Sequence, residues 1–276
     1  MHKLARSLRR LSLVLLLMAL PLAACSGTRN GGEQVEKPAE ELWAEATRLL
    51  DEERFEQAAK AFEEVERQHP YSQLATRAQL MAAYAYYEGG MYDAAIAAAE
   101  RFIELHPGHE EVPYAHYLVA VSWYEQISDV GRDQGATEKA LEALNLVVQR
   151  FPDSDYARDA QYKIDLVRDH LAGKEMEIGR FYQRQGRWLA AMNRFRRVVE
   201  AYQTTTHVPE ALHRLVECNL ALGLEEEARV AAAVLGHNFP DSEWYRRSYA
   251  LLQGRGLEPE PEKAGWLSRL ANLWPF

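Results

Sequence analysis

From residue 40 to residue 252 apolar residues recur every three or four positions, and no stretch alternates apolar with polar over a strand's length. That periodicity lays one apolar stripe along each helix and predicts an all-α chain. Short polar breaks divide the pattern: HPYS at 69–72, HPGH at 106–109, FPDS at 151–154, YQTT at 202–205 and FPDS at 239–242. Proline cannot continue a helix, and a Ser or Thr after it can cap the next one.

The residues before each break also match. Twelve positions before Pro70, Pro107, Pro152, Gln203 and Pro240 stand Ala58, Ala95, Ala140, Ala191 and Ala228. Eight and five positions before them stand Phe62 and Val65, Ala99 and Phe102, Leu144 and Val147, Phe195 and Val198, and Ala232 and Leu235. A small residue where two helices must approach, with mostly larger ones on the same face, resembles the tetratricopeptide repeat, a helix–turn–helix of about 34 residues. First helices fit as well, with Ala83 and Tyr86 in repeat two and Gly179 and Tyr182 in repeat four. The expected fold is a tetratricopeptide-repeat superhelical solenoid of about five repeats. Repeat four has Gln203 in place of proline, so its break is expected from the Thr-rich TTTHVP segment.

Two spacings depart from the repeat. Residues 128–137, SDVGRDQGAT, lengthen the turn inside repeat three and stretch its proline-to-proline interval to 45 residues. The interval from Pro152 to Gln203 is 51. It has room for one helix of about 30 residues, roughly 45 Å long, with Gly173 as a weak point.

The ends read differently. Residues 1–24 carry four early cations (Lys3, Arg6, Arg9, Arg10), then an apolar run too short to span a bilayer. That is the layout of a cleaved export signal. Leu22-Ala23-Ala24-Cys25 resembles the bacterial lipobox, which implies lipidation of Cys25 and cleavage before it. An ordinary signal peptide with an incidental cysteine is the alternative. Ser26, rather than Asp, favours export to the outer membrane. Residues 25–38 are polar and glycine-rich, a tether. Residues 39–252 hold the repeats, and 253–276 a linker and a short amphipathic helix. That helix, with Trp266, Leu267, Leu270, Leu273 and Trp274 at helical spacing, either caps the last repeat, docks on a partner or lies on the membrane.

Loss of the leader would take the formal charge from −9 to −13, a balance unsuited to nucleic acid. Cys218 is then the only other cysteine, expected as a packed apolar residue, and no intramolecular disulfide is possible. His106, His109 and His116 lack the spacing of a metal site and read as a solvated loop. No nucleophile elbow, phosphate-binding loop or dinucleotide motif occurs, so no catalytic residue, metal or cofactor is expected. What the chain offers is surface. Tetratricopeptide arrays hold peptides on the face lined by their first helices. Those helices carry Tyr84, Tyr86, Tyr87, Tyr114, Tyr117, Trp123 and Tyr124, about half of them expected in the core.

Taken together, the lipobox, the tether, five repeats, the insertion in the third and the long helix into the fourth resemble the BamD family of outer-membrane protein assembly lipoproteins. The likeness covers about residues 20–252 and is most specific in HPYSQLATRAQLMAAYAYY, SDVGRDQGATEKALEALNLVVQRFPDSDYARDA and GRFYQRQGRWLAAMNRFRRVV. It implies a non-enzymatic scaffold, lipid-anchored in the outer membrane and facing the periplasm. It implies as partners a POTRA domain of the barrel subunit BamA, other lipoproteins of the machine, and unfolded β-barrel substrates. Arg194 matches a family arginine tied to BamA coupling. Asp129, Arg132, Asp133 and Gln134 of the insertion are further partner-binding candidates, or else a self-capped loop with Thr137 capping the next helix. Tyr84 and Tyr87 are candidates for the substrate groove. Another lipid-anchored adaptor, such as a secretin pilotin or a coordinator of peptidoglycan synthesis, is the alternative, and a solenoid hydrolase a more distant one.

Overall fold

The computed structural model describes residues 36–259. Cys25, the tether up to residue 35 and the Trp-rich tail lie outside them. Within this span, eleven α-helices and no strand form one compact unit beginning at Ala39. They are α1 (Ala39–Asp51), α2 (Phe55–Gln68), α3 (Gln73–Glu88), α4 (Tyr92–Leu105), α5 (Val112–Glu125), α6 (Gly135–Arg150), α7 (Asp155–Arg184), α8 (Trp188–Ala201), α9 (Val208–Ala221), α10 (Glu225–Asn238) and α11 (Glu243–Gln253). Each packs on the next in sequence through α10, making five hairpins, and α11 lies against α9 and α10. Odd helices also touch across repeats (α1–α3, α3–α5, α5–α7, α9–α11), while no even pair packs to that extent among the described residues. The array therefore closes on its odd-helix side, which is how stacked repeats produce a concave face.

The repeat pattern in the sequence is the core. All fifteen residues at the twelfth, eighth and fifth positions before the breaks, from Ala58 to Leu235, have no exposed surface. Each larger one contributes about 1.5–3 kcal/mol by burial. The breaks share one backbone geometry. His69, His106, Phe151, Tyr202 and Phe239 all sit near φ −130° with ψ of 46° to 60°. Each donates its N–H to the carbonyl of Val65, Phe102, Val147, Val198 or Leu235. Repeat four adopts it without proline, so the buried residue five back, rather than the proline, sets the break. Thr205 helps by donating its hydroxyl to the Tyr202 carbonyl at 2.8 Å. Ser72, Ser154 and Ser242 cap α3, α7 and α11, whereas α5 and α9 start with proline in the first turn.

The 30-residue α7 runs unbroken. Gly173, expected as a weak point, is instead a contact: a Cβ there would lie 3.3 Å from His207 Nε2 and 3.8 Å from Val130 Cγ2. Gly179 is tighter still. A Cβ would come within 2.4 Å of the buried Phe195 ring, so only glycine lets α8 close on α7.

Candidate functional site

The insertion in repeat three is a loop bonded to itself. Asp129 Oδ1 accepts the Gly131 N–H at 2.7 Å, and Asp133 Oδ2 accepts that of Gly135 at 3.0 Å. Gln134 Nε2 donates to the Arg132 carbonyl at 3.0 Å. Thr137 does not cap α6. The helix begins at Gly135, so Thr137 already lies in its first turn, buried, with its hydroxyl donating to Gln134 Oε1 at 3.1 Å. These bonds leave Asp129, Arg132 and Asp133 exposed on a fixed loop. Beside it, Asp129, Val130 and Gly131 face Leu166, Asp169 and His207 across a cleft of about 460 Å³. Asp169 accepts both the N–H and the hydroxyl of Thr206, at 3.1 and 2.9 Å.

Arg194 is engaged within the chain. Its guanidinium lies 3.1 Å from Glu175 Oε2, and that of Arg197 lies 3.1 Å from Oε1 of the same carboxylate. Glu175 is 7% exposed, and two cations satisfy what burial would otherwise penalise. The insertion touches α7 at Gly173 and Arg194 touches it at Glu175. Two residues turn a helix by about 200°, so the loop and the arginine meet α7 at one level on opposite sides.

Further along the odd-helix side, α7 and α9 share a polar ladder. Arg180 reaches Glu210 at 3.1 Å, Arg214 reaches Glu210 and Glu217 at 3.2 and 2.8 Å, and Gln183 donates to Glu217 at 2.7 Å. Burial pushes the Glu217 carboxyl up, but hydrogen bonds from His213, Gln183 and Arg214 outweigh it and hold the group at about 2. Sequence reasoning missed this ladder, because its two bonds between helices join residues thirty and thirty-four positions apart.

The tyrosines of α3 and α5 form the other surface. None of the seven aromatics named from sequence is in the core; every one is partly exposed. Each packs part of its ring against the core and keeps part of its surface exposed, so residue type alone misjudged their burial. Tyr86 turns to α2, donating to Glu63 at 2.9 Å. Trp123 lies under Lys139, whose Nζ is 4.1 Å from the ring centre. Tyr84, Tyr87, Tyr114 and Tyr117 instead gather with Tyr156 of α7, which sequence reasoning passed over. Tyr156 stacks on Tyr117 at 5.2 Å and tilts against Tyr114 at 5.4 Å. Tyr117 donates to Asp159 at 2.5 Å, and Lys163 reaches the same carboxylate at 2.6 Å. Burial, reinforced by neighbouring acids, raises the hydroxyls of Tyr84, Tyr87, Tyr114 and Tyr117 above the usual phenol range, so these hydroxyls stay protonated donors.

The remaining candidates have structural partners. His106 bonds Gln79 at 2.7 Å and, with His109, packs on Phe102; His116 sits beside Arg150. Cys218 has no exposed surface, and burial pushes its thiol up to about 12.

The YfiO family model, described as an outer membrane lipoprotein, matches residues 35–235. The outer membrane protein assembly factor BamD of Caulobacter vibrioides is 51% identical over 253 residues, 90% of this chain and 83% of that protein. The chain belongs to the BamD family. The Rickettsia prowazekii member is 42% identical over 246 residues, 89% of this chain and 98% of its own length. That of Neisseria meningitidis serogroup A is 36% identical over 239 residues, 82% and 90% of the two chains. The matched span of the family model runs through the insertion, all of α7 and Arg194. Membership also separates the chain from the secretin pilotins and peptidoglycan coordinators considered above.

Proposed function

We propose that this chain is a non-enzymatic scaffold that helps assemble β-barrel proteins in the outer membrane. Its relatives carry the name of outer membrane protein assembly factors, and its fold offers surfaces rather than a reaction centre. Cys25 anchors it by lipid to the outer membrane, facing the periplasm, and residues 25–38 tether the helical array. Confinement raises its effective concentration toward other anchored proteins, including further lipoproteins of the machine. The insertion and the α7–α8 surface bind the POTRA part of BamA, and the tyrosine face receives unfolded barrel strands. The observation that carries this reading is the rigid, self-bonded loop that leaves Asp129, Arg132 and Asp133 exposed beside α7.

Pull-down of the full-length lipoprotein from detergent-solubilised membranes tests it. Arg132→Glu changes an exposed side chain and is expected to reduce BamA recovery about tenfold with unchanged melting. Arg194→Gln is the cleaner change at the second position, since Arg197 still neutralises Glu175. Undiminished BamA with both variants would remove this surface from the interface. Absence of BamA from the wild-type sample would remove the assembly reading.

A further inference from the structure

The tyrosine face has a charge pattern that bears on what it can hold. Glu88 ends α3 and Glu125 ends α5, so both carboxylates stand where the helix dipole is already negative. Glu88 lies close enough to act on the Tyr84 hydroxyl, and Glu125 on that of Tyr87. Neither takes part in an ion pair among the described residues. Asp159 stands between Tyr117 and Lys163, and at the other end Glu111 and Asp155 approach Tyr156. Among the described residues, Lys163 and Arg158 are the cations that contact this group, and both are occupied. Lys163 is bound to Asp159 and lies 5.6 Å from the Tyr124 ring, and Arg158 pairs with Asp155 at 2.7 Å. Five half-buried phenol rings are thus framed by carboxylates at both ends.

Such a surface attracts side chains of two kinds. Aromatic rings can stack on the exposed edges of Tyr114, Tyr117 and Tyr156. Guanidinium and ammonium groups gain twice, from the ring faces and from the unpaired carboxylates. A carboxylate gains nothing here and meets like charge at either end.

We infer that this face selects extended segments by their internal aromatic and cationic side chains and does not capture a terminal carboxylate. The inference rests on the proposed role of the face in receiving barrel strands, and it names the feature of the strand that is read.

Fluorescence anisotropy with the purified full-length lipoprotein separates the possibilities. Three ten-residue peptides with alternating Phe or Tyr and ending in Phe serve as probes. One has Arg between the aromatics and a free C-terminal acid, one is its amide, and one has Glu in place of Arg. The amide should bind at least as tightly as the acid, and the Glu peptide at least tenfold more weakly. Glu88→Gln with Glu125→Gln should shrink the Arg-over-Glu preference to about threefold. Tyr87→Ala with Tyr114→Ala, checked for helix content, should weaken the Arg peptides about tenfold. An acid bound more than threefold tighter than its amide overturns the inference and leaves strand reception intact. Binding that ignores the tyrosine substitutions overturns the inference and also removes strand reception from this face. Failure of all three peptides to bind removes the reception role and the inference together.

Discussion

The two ends of the odd-helix side solve the problem of exposed polar groups in opposite ways. Across α7 and α9, Arg180, Arg214, Glu210, Glu217 and Gln183 satisfy one another, and on α8 two arginines close on Glu175. Across α3, α5 and the start of α7, tyrosines are only half-covered, and Glu88 and Glu125 take part in no ion pair among the described residues. The first surface is internally complete, so its charges act mainly as struts that set where α8 and α9 lie. The second is internally incomplete, with ring edges and carboxylates left over for a ligand. Within one repeat architecture, one region pairs its polar groups with one another and the other leaves part of its rings and carboxylates uncovered.

The comparison predicts where substitutions act. The largest effect is expected from Arg194→Glu, which sets a second carboxylate against the buried Glu175. Breaking a buried pair in this way costs about 3 kcal/mol, reduced to the extent that Arg197 holds on. Hydrogen exchange should accelerate in α7 and α8 and stay unchanged in α1–α3. Equal acceleration in both halves would show that the clamp is no local strut.

Acid is expected to act next. Glu217 is held at about 2 against an ordinary 4.5. Its contribution is complete above about pH 5 and is lost as pH falls from there toward 2, because the unfolded chain takes up the proton first. With screening discounted, about 2 kcal/mol is at stake in the α9 region. Glu217→Gln should flatten that part of the profile, and an unaltered profile would assign the acid sensitivity elsewhere.

The smallest effect is a gain. Turns inside hairpins two, four and five place Gly90, Gly186 and Gly223 at φ of 69° to 76°, whereas hairpin one uses Glu53 at φ 57°. Glu53→Gly should relieve a left-handed backbone at the price of a freer unfolded chain, a net of about 0.5 kcal/mol toward stability. A lower melting temperature would mean that the turn carries no strain.

Much of this was legible in the chain itself, for reasons that can be named. The positions twelve, eight and five before each break are core positions because they share one helix face, and a face is a matter of spacing. The self-bonding of Asp129 and Asp133 is local too, reaching two residues onward in each case. The Thr137 cap was misplaced because it hung on a helix start that shifted by a few residues. Arg194 was recognised by its surroundings in the sequence, but its partner Glu175 lies nineteen positions away. Tyr156 and Asp159 were passed over because nothing in their own neighbourhood announces that Tyr117 will arrive from forty-two residues upstream.

The sequence by itself determined the all-helical repeat, its breaks, the long α7 and the inserted loop, since each depends on contacts within a helix or a turn. Only the tertiary structure decided which tyrosines stay half-exposed, which arginine is already spent on a carboxylate, and that the loop and Arg194 flank α7 from opposite sides. Those outcomes depend on how successive hairpins stack, and stacking joins residues whose separation along the chain carries no local signal.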